Sequence, residues 1–149
     1  MLNSYSFYSS YCTEYRKVIM RAIELGYKLP SVPQQILQDK LMRAIVSSGV
    51  LTKADMLYMS ANDAGLDFAR INWKNPGTYD LVNYGTEPVL FMKNYGFYFN
   101  TEVSGLGLLD TQWSPAIGGN FTRNNNCVIS MTMSAFGGSC RHYIATDGT

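Results

Sequence analysis

A chain of 149 residues and 16.7 kDa has the length of one ordinary domain, and 46% hydrophobic against 15% charged residues gives it enough apolar material for a core, which excludes an intrinsically disordered chain. A formal charge of +1 supplies no field to hold nucleic acid or an anionic membrane, so neither is expected as a partner. No apolar run is long enough to cross a bilayer, and Met1-Leu-Asn-Ser-Tyr-Ser-Phe-Tyr8 lacks the basic start and apolar centre of a secretion signal.

Residues 1–10, rich in Ser and Tyr and without period, read as an arm that orders against a partner. Thr13 is placed to cap a first helix with Tyr15, Val18, Ile19, Ala22 and Ile23 on one face, and Gly26 is placed to end it. Ser31-Val-Pro-Gln34 has the spacing of a capping box and opens a second helix, whose Ile36, Leu37, Leu41, Ala44 and Ile45 form an apolar stripe expected to face the core. Gly49 ends that helix, and Thr52-Lys-Ala-Asp55 can begin one more short turn before Leu57-Tyr-Met59, which reads equally well as a strand.

From about residue 60 the pattern changes to short aromatic or β-branched runs punctuated by Gly, Asn, Asp and Pro. Strands are expected at Tyr79 to Asn83, Val89 to Met92, Gly96 to Phe99, Leu106 to Gln112, Cys127 to Met133 and Tyr143 to Ala145. The fold class is therefore α+β: an arm over 1–10, a helical anchoring module over 11–60, and a β-rich portion over 61–149. Asp147-Gly148 is a favoured hairpin turn with no return strand after it, so the β portion is expected to be an incomplete antiparallel sandwich, either the front part of a longer polypeptide or a sheet whose edges are completed by a neighbour.

Several segments in fixed order carry a resemblance across roughly residues 11 to 130: Leu29-Pro-Ser-Val-Pro-Gln-Gln-Ile-Leu37, Asp67-Phe-Ala-Arg-Ile-Asn-Trp-Lys74, Leu109-Asp-Thr-Gln-Trp-Ser-Pro115 and Asn120-Phe-Thr-Arg-Asn-Asn-Asn126. Together they resemble virion appendage proteins, head or tail fibres, of phages of Bacteroides-type bacteria, including the crAss-like phages. The resemblance implies a short helical region joined to a concanavalin-like (laminin-G-like) jelly-roll sandwich, a homotrimer, capsid or tail proteins as partners, and location in the virion. It carries no catalytic residues and no cofactor, so a non-enzymatic structural role is the expectation.

Tyr84, Phe91, Tyr95, Phe97, Tyr98 and Phe99 are too dense to hide in a small half-built sandwich and are read as an oligomer or virion interface. Asp110, Trp113, Asn124, Asn125 and Asn126 form a candidate glycan contact, with Trp stacking on a sugar ring, which would make the chain a lectin-like adhesion module; a core Trp beside Asn turns is the preferred reading. Cys140 and His142 share a strand face but lack an orienting group, and Cys12, Cys127 and Cys140, odd in number and widely spaced, write neither a disulfide framework nor a zinc site. Asn62-Asp-Ala-Gly-Leu-Asp67 lacks the alternating spacing of a calcium loop and is turn chemistry. Asp80 with Asp110 is the carboxylate pair a glycosidase would need.

Overall fold

The computed structural model describes residues 8–86, 88–98 and 107–113, and these mix helix with small antiparallel sheets, an α+β arrangement. In chain order the described elements are α1 (Thr13–Glu24), α2 (Val32–Ser47), α3 (Val50–Lys53), α4 (Leu66–Ala69), β1 (Val82–Gly85), β2 (Leu90–Met92), β3 (Gly96–Tyr98) and β4 (Gly107–Asp110). Strands β1 and β4 pair antiparallel with Val82 opposite Asp110 and Tyr84 opposite Leu108, while β2 and β3 form a separate hairpin with Leu90 opposite Tyr98. The strands expected at Cys127 to Met133 and Tyr143 to Ala145 lie outside the described residues, as do Phe99, Asn124, Asn125, Asn126, Cys140 and His142.

Helix α1 buries Tyr15, Val18, Ile19 and Ala22, but Ile23 at the edge of the same stripe stays exposed. It ends as its sequence requires. Gly26 takes φ +69, its N–H bonds the Ile23 carbonyl at 3.0 Å and the Tyr27 N–H bonds the Ala22 carbonyl at 2.8 Å, the two closing bonds of a Schellman motif. Its start differs from expectation: Thr13 is the first helical residue, Cys12 holds the cap position, and the Cys12 N–H donates to Asp39 Oδ1 at 2.7 Å on α2. A cap supplied by another helix couples the two elements.

Helix α2 is turned opposite to its sequence expectation. Its buried residues are Gln35, Gln38, Asp39 and Met42, while Ile36, Leu37, Leu41 and Ala44 of the expected core stripe are exposed and Ile45 alone is half-buried against the core. The cause lies on α1 and just before it. Tyr11 and Tyr15, one helical turn apart in sequence, bury phenol groups whose O–H must be bonded. Gln35 Oε1 accepts from Tyr11 at 3.0 Å and Gln38 Oε1 accepts from Tyr15 at 2.7 Å, with Gln35 Nε2 donating to the Pro30 carbonyl. Turning Leu37 and Leu41 inward would strand both hydroxyls in an apolar core. The Ser31 capping box likewise gives way: its side chain makes no cap bond, and its N–H is taken by Asp63 Oδ1 at 2.9 Å.

The core does not stop at residue 60. Trp73, Phe68 and Ile71 join Tyr11, Tyr15, Val18, Ile19, Ala22, Met42 and Leu51 in one cluster. The Tyr15 and Trp73 rings lie 5.4 Å apart and Phe68 meets Trp73 edge-on at 6.4 Å. Tyr8, expected within the arm, packs on this cluster, and the Ser10 carbonyl accepts from Arg43 at 2.8 Å, so residues 8–10 are held by their own chain.

The segment from Arg70 to Leu81 is folded around two side chains. Buried Asn72 accepts through Oδ1 from the N–H groups of Leu57 and Lys74, and donates through Nδ2 to the Thr78 carbonyl. Asp80 accepts from the N–H groups of Asn72 and Gly77 and from Arg21 Nε at 3.2 Å, which ties the loop to α1. Leu57 to Met59 forms no strand, although the Leu57 carbonyl accepts from the Trp73 N–H at 2.7 Å. Helix α4 has no counterpart in the sequence reading because four residues are too few to show a period.

Candidate functional site

Three of the six predicted interface aromatics, Tyr84, Tyr95 and Tyr98, are exposed on the two strand pairs and their turn. In an antiparallel pair, residues directly opposite share a face, so Val82, Tyr84, Leu108 and Asp110 line one face of the β1–β4 ribbon. All four are exposed, Tyr84 at 65%. The opposite face presents Asn83, whose Oδ1 accepts from Arg70 at 2.9 Å, and half-buried Leu109. Three apolar or aromatic side chains, Val82, Tyr84 and Leu108, thus stand exposed on one face of the ribbon with Asp110 beside them.

The β2–β3 hairpin follows the same rule on one side. Leu90, Met92 and Tyr98 are exposed on the face they share with Gly96. Phe91 and Phe97 stand opposite each other on the second face, half-buried, their rings edge-on with centroids 6.5 Å apart. Asn94 in the turn takes φ +66 and donates its N–H to the Asn62 carbonyl at 2.8 Å, which fixes the hairpin to the Asn62–Gly65 turn. Gly96 is required there: a Cβ would stand 2.6 Å from Ser60 Oγ, and φ is +112. Tyr95 beside it is 60% exposed.

Of the candidate interface residues, the structure thus places Tyr84, Tyr95 and Tyr98 on the surface and Phe91 and Phe97 half-buried in one contact, while Phe99 lies outside the described residues. Among the candidate glycan contacts, Asp110 is exposed and Trp113 half-buried. The strand expected to run to Gln112 stops at Asp110, because Gln112 takes φ +56; its N–H is bonded by Asp110 Oδ1 at 2.8 Å and the Trp113 N–H by Thr111 Oγ1 at 3.2 Å. Asp110 therefore spends one oxygen on its own loop. The fully buried tryptophan is Trp73.

The remaining polar candidates are engaged in turns. Asn62 Oδ1 accepts from the Ala64 and Gly65 N–H groups, both at 2.8 Å, and Asp63 caps Ser31, so these oxygens shape the backbone. Burial pushes the Asp63 carboxyl up, and the Ser31 hydrogen bonds outweigh it and hold it below the ordinary carboxylate value. Asp80 and Asp110 both lie near enough to Tyr58 to oppose its ionisation, added to the larger effect of burial, and Tyr58 donates to the Tyr79 carbonyl at 2.5 Å. With both Asp80 oxygens already accepting hydrogen bonds, the pair reads as structural.

Sequence reasoning missed one surface. The outer side of α2 exposes Val32, Ile36, Leu37 and Leu41, with Leu37 at 61%. Its signal was the spacing of Gln35, Gln38 and Asp39, polar residues three and four apart on one side of the helix, with Gln35 and Gln38 meeting Tyr11 and Tyr15. Compared with known proteins, the chain matches no family, no curated protein and no solved structure.

Proposed function

We propose that the chain is a non-enzymatic structural component of a bacteriophage virion, the particle-proximal part of a head or tail fibre, which associates with copies of itself and with a capsid or tail protein. The observation that carries the self-association is the outward placement of Val82, Tyr84 and Leu108 on one ribbon and of Leu90, Met92 and Tyr98 on the other. Two-stranded sheets of three or four residues are marginal alone and gain stability when their apolar faces are covered. The assignment to a virion, the jelly-roll completion of the β portion and the trimer rest on the family resemblance. Cross-linking and mass spectrometry of density-purified particles test it: peptides of this chain linked to each other and to a capsid or tail protein are expected, and their absence from intact particles refutes the assignment.

A further inference from the structure

Two exposed faces of this chain are complementary, and neither is covered by the other within one copy. The first is the outer side of α2, where exposed Ile36 and Leu37 lie four and three residues before Lys40 and share its face, with exposed Leu41 directly after it. The second is the β1–β4 face, where Val82, Tyr84 and Leu108 stand beside the Asp110 carboxylate. One is apolar with a basic centre, the other apolar with an acidic corner. The same polarity runs through the whole sequence. From Met1 to Lys53 there are seven Lys or Arg and three Asp or Glu, whereas from Ala54 to Thr149 there are five and eight. A net charge near zero thus hides a basic helical part and an acidic β part, the distribution that favours head-to-tail encounter over like-to-like pairing.

We propose that the outer face of α2 is the docking surface for the β1–β4 ribbon of a second copy of this chain. The proposal builds on the self-association inferred above and names its partner surfaces. A contact between two different faces is heterologous, so every copy in a closed ring uses both, and a ring of three satisfies all of them. Helix α2, 16 residues and so about 24 Å long, is longer than the four-residue ribbon at about 13 Å and so can cover it along its full length. The buried polar side of α2 serves this arrangement: Gln35, Gln38 and Asp39 lock the helix by hydrogen bonds to Tyr11, Tyr15 and Cys12, so Leu37 and Leu41 are held facing outward.

The test uses the full chain in sedimentation velocity over a range of micromolar concentrations, with two double variants, Leu37→Lys with Leu41→Lys and Tyr84→Lys with Leu108→Lys. All four positions are exposed, and circular dichroism with thermal melts checks that each variant is folded; Lys40→Glu serves as a single-charge variant on the α2 face. The unaltered chain is expected to form a closed oligomer. Each double variant alone is expected to self-associate about thirtyfold more weakly or worse, the loss typical of central interface residues. Mixing the two double variants is the decisive arm: each retains the face the other has lost, so one good contact forms and a one-to-one dimer appears that cannot close. An oligomer unchanged by either double variant, or a mixture that stays monomeric, overturns this docking scheme and leaves self-association by another surface standing. An unaltered chain that is monomeric throughout overturns both.

Discussion

Tyr15→Phe removes one oxygen from the centre of the core. Tyr15 is fully buried and donates to Gln38 Oε1 at 2.7 Å, and Gln38 Nε2 has no hydrogen-bond partner among the described residues. The substitution leaves a buried amide with neither end bonded, at a cost of about 1–3 kcal/mol. Gln38→Met at similar volume removes the amide and leaves the phenol orphaned, a comparable penalty, partly offset because the unpartnered Nε2 goes with it. The pair of substitutions removes both polar groups and is expected to be within about 1 kcal/mol of the unaltered chain, on either side. Urea unfolding followed by far-ultraviolet circular dichroism gives all four corners of the cycle, and the non-additivity, close to the sum of the two single losses, is expected to be about 2–5 kcal/mol. For a chain of this length that corresponds to shifts of about 2–4 °C per kcal/mol in thermal melts. Additive losses would refute the claim that a bonded pair of polar groups, and not shape alone, sets the orientation of α2.

Four further outcomes follow from other sites. Gly96→Ala is expected to destabilise by about 1–3 kcal/mol through its φ of +112 and the Ser60 contact, read as a lowered urea midpoint. Trp73→Ala empties the centre of the core and is expected to cost about 3–5 kcal/mol by the same measurement. Asp80→Ala strands the Asn72 and Gly77 N–H groups and the Arg21 guanidinium, a loss of about 1–3 kcal/mol with protease sensitivity rising between Arg70 and Leu81. Burial raises the Asp39 carboxyl, but the Arg43 ion pair and the Cys12 N–H outweigh it and hold it below its ordinary value. Its stabilisation is therefore complete above about pH 4 and is lost as pH falls through the folded-state value, so Asp39→Asn should flatten the acid limb of a stability profile; an unchanged limb contradicts the assignment.

Local backbone chemistry was readable in the sequence because it depends on neighbours in the chain. Gly26 and Gly49 end their helices with φ +69 and +74, and Leu90–Met92, Gly96–Tyr98 and Gly107–Asp110 fall within the runs expected as strands. The strand expected at Tyr79 to Asn83 forms later, at Val82–Gly85, because Asp80 is drawn into the Arg21 and Asn72 bonds and Tyr79 takes φ +60. The facing of α2 was not readable from its own pattern. Hydrophobic periodicity assumes that apolar residues win the interior, and here two tyrosine hydroxyls from another segment reversed the outcome. The surface residues Tyr84, Tyr95 and Tyr98 were legible as a group through local density, whereas the outer α2 residues Leu37 and Leu41 were assigned to the core by the same reasoning that located them.

The interlock of Tyr15 with Trp73, reinforced by the clamp from Arg21 to Asp80, sets a rule for anyone dividing or recombining this polypeptide. A chimera cut near residue 60 would part Trp73 from Tyr15 and leave both apolar faces open to water, which favours aggregation and proteolysis of both pieces. A graft onto another scaffold has to carry Tyr8 through Leu81 together, because the core cluster and the Leu81–Arg70 bond span that stretch.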